Sequence, residues 1–586
     1  MWSASFGESM WYLLLIPLVL AVLAYSFRRR LISRMLNLPP PKYGVSVERS
    51  IAIPMADGIH LLADHYQPNA NGDFPTILIR TPYGRGREVF MFGGYPLSEL
   101  PGQRFAERGY HVVVQGVRGC YDSEGIFDPH VNEAADGKAT VDWICQRSWY
   151  DGRLALWGPS YLGYTAWAAA ISSKDHLKAI VPIITSSENF SVTHPNGAFG
   201  LESRLRWSQG ITMAQKSRGA SFISKVKRRF FSNSEDDLIA AFGHIPLQEA
   251  DEIAAGQPVL FFREMLANTS NEDSYWRSRD NSRQVAQVEA PAHLIGGWYD
   301  YYLNSLLRDY ATLRDEGHQP HLTIGPWFHA SSGGLMTGLR EGIDWFDRQL
   351  KGHETESPSH PVRVFVMGAE QWRAMDDFPP PSDPTTYYLA SGGELRTDKP
   401  EAEPSASTFT YDPANPTPSF GGALLAFRGA GPVDNRELEA RPDVLCFTSS
   451  EFENSLEFMG QVSLVLYVRS SRPFTDFHGR LCDVLPDGRS INICDGLFRI
   501  HPGKGQTQAD GSLVITIEFS PTAYSLQPGH RLRLQVSSAA HPRWNRNLGT
   551  GEAEATAEKM GAAEQTVLHD LDHLSALQLP LIRLLA

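Results

Sequence analysis

One serine of the chain stands in a context that can make its hydroxyl a nucleophile. Residues 158–163 read Gly-Pro-Ser-Tyr-Leu-Gly, which fits G-x-S-x-G on Ser160 except that the second glycine falls one place late. The apolar run Leu154–Trp157 enters the motif, and the alanine-rich, helical run Thr165–Ala170 leaves it. Because this strand–turn–helix context lifts a serine above a sheet, it predicts that Ser160 attacks a carbonyl carbon.

A serine hydroxyl needs a base to take its proton and an acid to orient that base. Asp300 follows the apolar residues 292–295 through Gly-Gly-Trp-Tyr, and His329 follows residues 322–324 through Gly-Pro-Trp-Phe. Each comes just after a predicted strand, at the sheet edge where sites gather, and the order Ser, Asp, His is that of α/β-hydrolases. Singly, either residue is more often a turn or core residue. Together they predict a Ser160–His329–Asp300 triad.

Hydrophobic periodicity predicts the strands and helices that carry these three residues. Short β-branched runs alternate with helical patterns and predict an α/β domain over residues 45–185 and 288–355. The intervening residues 186–287 contain mainly helical stretches and predict a cap. The basic run at 225–229 in this cap has two interpretations, contact with anionic lipid or a solvated face.

The hydropathy pattern changes in the last part of the chain. Strict alternation, as in residues 512–519 and 531–536, puts one strand face on a core and the other in water. Residues 356–586 are therefore expected to form a β-sandwich.

The N-terminus carries an uncharged run. Residues 10–27 approach the length that spans a bilayer, and Arg28, Arg29 and Arg30 follow directly. By the positive-inside rule we expect a single-pass transmembrane helix with the catalytic domain in the cytoplasm. A cleaved signal peptide and a buried helix are the alternatives, although a signal peptide would carry its basic residues before the apolar run.

Charge and cysteine content limit the ligands. The net charge of −13 argues against nucleic acid as a partner, because phosphate binding needs a basic footprint. The five cysteines form no CxxC pair, so no metal site is predicted; buried thiols are favoured over a Cys482–Cys494 disulfide. No cofactor is predicted, and the sequence makes no prediction of oligomeric state.

The sequence resembles the CocE/NonD hydrolases, the group of cocaine esterase, X-Pro dipeptidyl-peptidase and α-amino acid ester hydrolase, over about residues 45–570. In that family a tyrosine follows the serine and the glycine falls one place later, as it does here. The matching motifs lie at residues 80–84, 117–119, 123–125, 136–137, 142–143, 158–163, 296–300, 325–329 and 345–352.

The resemblance implies a role for each matched position. Ser160 would attack the carbonyl, His329 would act as base and then acid, and Asp300 would hold the imidazole. The Tyr83 hydroxyl and the Tyr161 backbone N–H would donate to the oxyanion. Its own context, directly after a proline, favours a turn residue at Tyr83 over an oxyanion donor. The resemblance also implies that the C-terminal domain is a jelly roll.

The expected activity is that of a serine hydrolase that cleaves an ester or amide bond, through an acyl-enzyme, in a small molecule or short peptide. The first alternative is an X-Pro dipeptidyl-peptidase, which needs a carboxylate for the substrate α-amine and a pocket for proline. The second is an inactive membrane-bound binding protein that kept the fold, since fold alone never fixes function.

Overall fold

Two large sheets succeed one another along the chain. The computed structural model describes residues 27–85, 91–92, 95–96, 98–216, 234–352, 360–400, 403–426 and 428–582. The N-terminal half contains a ten-stranded sheet and a two-stranded ribbon. Their strands are β1 (Val45–Pro54), β2 (His60–Pro68), β3 (Thr76–Thr81), the ribbon strands β4 (Met91–Phe92) and β5 (Tyr95–Pro96), β6 (His111–Gly116), β7 (Leu154–Pro159), β8 (Leu177–Ile183), β9 (His293–Tyr299), β10 (His321–Phe328), β11 (Val362–Val366) and β12 (Gln371–Met375).

The order in the ten-stranded sheet is β1-β2-β6-β3-β7-β8-β9-β10-β11-β12. The seven strands from β6 to β11 in this order are parallel, and β1, β2 and β12 pair antiparallel at the two edges. All residues of β3, β6, β7 and β9 are buried, as expected for central strands covered on both faces. This is the sheet of an α/β-hydrolase.

Thirteen helices accompany the sheets in the described residues. They are α1 (residues 27–35), α2 (Glu99–Ala106), α3 (Glu133–Cys145), α4 (Tyr161–Ser172), α5 (Phe190–Thr193), α6 (Leu201–Lys216), α7 (Ser234–Phe242), α8 (Ala250–Ala255), α9 (Leu260–Ala267), α10 (Ser274–Arg277), α11 (Leu303–Asp315), α12 (Ser332–Lys351) and α13 (Arg436–Glu439).

Helices α5–α10 form an insertion between β8 and β9. The two strands are neighbours in the sheet, with Ile183 opposite Ile295, so the chain leaves and returns at one place. The inserted helices have an apolar cluster of their own, which includes Leu205, Phe262 and Trp276. They therefore form a cap that enters the fold beside the central strands.

The C-terminal half is a mainly antiparallel β-sandwich. Its strands are β13 (Ser382–Ala390), β14 (Glu394–Arg396), β15 (Ala406–Tyr411), β16 (Leu445–Thr448), β17 (Leu456–Gly460), β18 (Ser463–Ser470), β19 (Thr475–Val484), β20 (Ser490–Ile500), β21 (Gln506–Thr507), β22 (Leu513–Glu518), β23 (Thr522–Leu526), β24 (Arg531–Ser537), β25 (Ala563–Leu568) and β26 (Ala576–Ile582). The Tyr299 hydroxyl, at the end of β9, donates to the Asn492 carbonyl at 2.9 Å and ties the sandwich to the hydrolase sheet.

The predicted membrane anchor is corrected. Residues 10–26 of the predicted transmembrane segment 10–27 lie outside the described residues. Within the part of the chain that the structure describes, no helix combines the length and the apolarity needed to cross a bilayer. The α/β-hydrolase core and the β-sandwich are present, but the fold class that included a transmembrane helix is wrong, as is the single-pass location with a cytoplasmic catalytic domain.

Arg29, one of the arginines that suggested this topology, has partners in the protein. Arg29, on α1, forms an ion pair with the buried Glu107 at 2.7 Å and donates to the Tyr43 carbonyl. Ser33, also on α1, accepts a hydrogen bond from Arg108 at 3.0 Å. Polar contacts therefore hold α1 against the hydrolase part. Arg29, which the positive-inside rule counts among the charges that keep one end of the helix in the cytoplasm, is therefore a packing contact of the hydrolase part.

Two other expectations concern the basic run of the cap and the cysteines. The basic run 225–229 lies outside the described residues. All five cysteines are free thiols, so Cys482 and Cys494 do not form a disulfide.

Candidate active site

Ser160 occupies a sharp turn between β7 and α4. Its backbone has φ 55° and ψ −126°, a region that side-chain-bearing residues rarely adopt and that costs of order 1–3 kcal/mol. The Ser160 N–H donates to the Ile183 carbonyl at 2.8 Å, which fixes the turn to the end of β8. The side chain consequently stands at the carboxyl edge of the parallel strands.

The late glycine of the motif has a steric reason. A Cβ on Gly158 would lie 2.4 Å from the Leu162 carbonyl carbon, and a Cβ on Gly163 would lie 2.4 Å from the Thr185 methyl carbon. Leu162, where the usual pattern has glycine, is instead fully buried. At position 163, therefore, the first turn of α4 lies too close to Thr185 to admit a side chain, whereas position 162 has room for leucine.

The structure brings the three predicted triad residues together. His329 Nε2 lies 2.9 Å from Ser160 Oγ, and His329 Nδ1 lies 2.7 Å from Asp300 Oδ2. Asp300 follows β9 and His329 follows the adjacent parallel strand β10, so the strand order places them side by side. Since a carboxylate only accepts, Nδ1 carries the proton and Nε2 is left to accept the serine proton.

The other contacts of Asp300 and His329 hold the imidazole in place. Asp300 Oδ1 accepts the Tyr302 backbone N–H at 2.7 Å. The Tyr301 and Tyr302 rings lie 4.4 and 5.5 Å from the His329 ring, between centroids. Burial raises the pKa of both tyrosines, which remain neutral phenols. The Asp300 and His329 side chains are both 1% exposed, so the hydrogen bond between them is shielded from water.

Tyr83, two residues after β3, directs its hydroxyl toward the nucleophile. The hydroxyl is hydrogen-bonded to the Ser160 side chain and accepts the Trp207 indole N–H at 3.0 Å. Burial raises its pKa, so the phenol keeps its proton. Because the indole N–H can only donate, it occupies a lone pair and leaves the phenol proton for another acceptor.

Tyr161 offers its backbone to the site and keeps its side chain away from it. As the first residue of α4, its N–H has no partner within the helix. Its hydroxyl donates to Glu133 at 2.7 Å and accepts the His130 N–H at 3.0 Å. The ring stacks on Trp207 with centroids 6.0 Å apart. These contacts fix the start of α4 behind Ser160.

The sequence analysis missed the cap residues beside the triad. Trp207 and Arg204 are three residues apart on α6, so they share one helix face. The Arg204 guanidinium carbon lies 5.5 Å from the Tyr301 ring centroid. That spacing, and the tyrosine pair after Asp300, were visible in the sequence, but nothing local indicated that α6 covers the site.

A cavity of about 340 Å³ adjoins the triad. Asp300 and Tyr301 form part of its wall, Ser203 lines it from the cap, and Asp495 and Arg543 line it from the sandwich. All three parts of the protein therefore enclose the space next to the site.

The hydrolase sheet and the Ser–His–Asp geometry define a serine hydrolase. Two family models match the sequence, X-Pro dipeptidyl-peptidase (S15 family) over residues 57–331 and the X-Pro dipeptidyl-peptidase C-terminal non-catalytic domain over residues 356–578. The chain is 34% identical over 580 residues to cocaine esterase of Rhodococcus sp. (strain MB1 Bresler), across 92% of this chain and 99% of that protein. It belongs to the CocE/NonD family of serine hydrolases, which includes cocaine esterase and the S15 peptidases.

Two solved structures share the fold. An aminopeptidase from the marine sediment archaeon Thaumarchaeota archaeon superposes with a TM-score of 0.77 at 22% identity, covering 92% of this chain and 97% of that one. An α-amino acid ester hydrolase gives a TM-score of 0.76 at 22% identity with the same coverage. Both likenesses extend over the hydrolase sheet, the cap and the sandwich.

Proposed function

We propose that this protein hydrolyses carboxylic esters through an acyl-enzyme on Ser160. The observation that carries the proposal is the line of hydrogen bonds from Ser160 through His329 to the buried Asp300. The similarity to a cocaine esterase over nearly the whole chain supports an ester as the substrate.

The reaction follows from the positions of the protons. Ser160 Oγ attacks the carbonyl carbon while His329 Nε2 takes its proton, and Asp300 stabilises the imidazolium. The tetrahedral intermediate then collapses: its C–O bond to the alcohol breaks, and His329 protonates the leaving oxygen. A water molecule attacks the acyl-enzyme by the same steps in reverse and releases the acid.

The carbonyl oxygen gains negative charge only in the intermediate. The Tyr83 hydroxyl and the Tyr161 N–H are the donors assigned to it. Fixed donors of this kind cost no reorganisation during reaction, and each typically lowers the barrier by about 2.7–4 kcal/mol.

The proposed domain division assigns residues 45–185 and 288–355 to catalysis, 186–287 to the cap and 356–586 to the sandwich. Strands β11 and β12, at the start of the last range, extend the hydrolase sheet. The separate apolar cluster of the cap supports this division.

The direct test uses p-nitrophenyl acetate and butyrate. Ser160→Ala is expected to lower kcat roughly 10⁴- to 10⁶-fold, as removal of a triad nucleophile does. A fluorophosphonate probe should label the wild type and not the variant. If wild type and variant were equally inert and neither were labelled, the proposal would be wrong.

The second candidate, an X-Pro dipeptidyl-peptidase, is favoured by the descriptions of both matching family models. Such a peptidase must pair a carboxylate with the substrate α-amine. Comparing kcat/KM for p-nitrophenyl butyrate and Ala-Pro-p-nitroanilide separates the two. Faster turnover of the anilide would favour the peptidase.

A further inference from the structure

Arg204 is a cation buried beside the proposed site, and it forms no ion pair with any residue that the structure describes. Its side chain lies on α6, and the residue is 4% exposed. Its Nε donates to Ser203 Oγ at 3.3 Å, and its guanidinium is hydrogen-bonded to the Tyr302 hydroxyl. Within the described part of the chain, no carboxylate lies within ion-pair distance of it.

The other buried arginines of the described residues are satisfied differently. Six have a carboxylate partner, and Arg546 donates to two backbone carbonyls. The six are Arg80, Arg85, Arg104, Arg108, Arg279 and Arg480. Arg204 has only hydroxyl groups and an aromatic face. Burying a cation without an anion is costly, so its retention at a site points to an anion that arrives with a ligand.

Arg204 lies directly behind two residues of the cavity wall, Ser203 and Tyr301. The Tyr301 ring contacts both the Arg204 guanidinium and the His329 imidazole, so one aromatic ring separates the cation from the proposed base. Ser203, which accepts from Arg204, also lines the cavity of about 340 Å³. Ser203 therefore links Arg204 to the wall of the cavity, and Tyr301 links it to His329.

Besides Asp300, three carboxylates line the same cavity: two are already compensated, and the third is exposed. Glu202 accepts from Arg206 at 2.6 Å and from the Leu425 N–H at 2.8 Å. Asp495 accepts from Arg480 at 2.9 Å and also from Arg543. Glu518, from β22, is solvent-exposed. None of them is an ion-pair partner of Arg204.

We propose that Arg204 binds a carboxylate of the substrate, so that the preferred substrate is an ester that carries a second, anionic group. This inference rests on the proposed esterase function and names its substrate class. A planar guanidinium can donate two parallel hydrogen bonds to a carboxylate, which gives orientation as well as affinity. The carboxylate can belong to the acyl or to the alcohol part of the ester, and the test separates the two.

The acyl arm compares the mono-p-nitrophenyl ester of glutaric acid with its methyl-capped counterpart, each corrected for spontaneous hydrolysis. The alcohol arm compares 4-carboxyphenyl butyrate with 4-methoxycarbonylphenyl butyrate. The measured quantity is the ratio of kcat/KM for the charged ester to that for the neutral ester. The wild type is expected to prefer the charged ester in one arm, and that arm identifies the source of the carboxylate.

The variant Arg204→Gln removes the charge and keeps a polar side chain. In the preferred arm its charged-to-neutral ratio is expected to fall about 10- to 100-fold, the range for losing hydrogen bonds to a charged group. Arg204→Lys should recover part of the ratio. Arg277→Gln, at an exposed position of cap helix α10 that does not line the cavity, should leave it unchanged.

A wild type without preference for the charged ester in either arm would overturn the inference, even if Arg204→Gln did not fold. An unchanged ratio in a folded Arg204→Gln protein would also overturn it. If the wild type hydrolysed neither the charged nor the neutral esters, the esterase proposal itself would fail, which is a distinguishable result.

Discussion

At the scale of single residues, Tyr83 shows how neighbouring side chains fix the direction of a hydroxyl proton. Its oxygen accepts the Trp207 indole N–H at 3.0 Å and is hydrogen-bonded to the Ser160 side chain. Burial keeps the phenol protonated by raising its pKa. The hydroxyl is thereby oriented before a substrate arrives, which is the condition under which an oxyanion donor is most effective.

Tyr83→Phe is expected to lower kcat about 100- to 1000-fold with a much smaller change in KM, because the lost hydrogen bond forms mainly in the transition state. Steady-state kinetics with p-nitrophenyl butyrate measure this. Tyr388→Phe, in sandwich strand β13, is the matched control and should behave as wild type. A Tyr83→Phe enzyme with normal kcat would exclude the phenol from the oxyanion site.

At the scale of elements, the strand–turn–helix unit of β7 and α4 depends on the absence of side chains at two points. Gly158 faces backbone atoms of Leu162, and Gly163 faces the Thr185 side chain. Backbone cannot yield to a methyl group as a flexible side chain can. The unit therefore tolerates substitution least at Gly158.

Gly158→Ala is expected to reduce the free energy of unfolding by about 1–3 kcal/mol, the usual cost of overpacking, and to lower activity by displacing Ser160. Gly243→Ala is the control, since its Cβ would meet only one atom, at 3.6 Å. Urea unfolding and ester hydrolysis measure the two effects. Equal stability of the two variants would show that the turn can relax around a methyl group.

At the scale of the whole molecule, the sandwich contributes charged groups to the wall beside the triad. Asp495 is buried, and Arg480 and Arg543 bind it while His478 lies 3.7 Å away. Burial alone would raise the pKa of Asp495, but these partners outweigh it and hold the pKa well below its ordinary value. This network links stability of the cavity wall to pH.

The direction of this pH dependence follows from the linkage between proton binding and folding. A carboxyl whose pKa is lower in the folded than in the unfolded state contributes stability above the unfolded value, about 3.9, and loses it as pH falls below that. Asp495→Asn should therefore cost about 3–5 kcal/mol at pH 7, as breaking a buried ion pair does, and clearly less at pH 3. Urea unfolding at both pH values measures this, with exposed Asp398→Asn as control. A cost that did not shrink at pH 3 would contradict the assignment.

Several features could be predicted because their signals are local. The strand before Ser160 and the helix after it indicate the serine turn. The alternation of strands and helices indicates an α/β sheet. The apolar run at residues 10–27 misled for the same reason. Hydropathy describes a segment alone, whereas Arg29, taken as a topology signal, is a partner of Glu107 across 78 residues.

The residues around each strand end were sufficient to predict that Ser160, Asp300 and His329 each follow a strand at the same sheet edge, because strand ends are encoded by neighbouring residues. Only the packing of whole elements places β9 beside β10, brings Trp207 of α6 to Tyr83, and buries Arg204 without an ion pair among the described residues. Contacts between distant segments depend on how whole elements pack, and no local pattern records that packing.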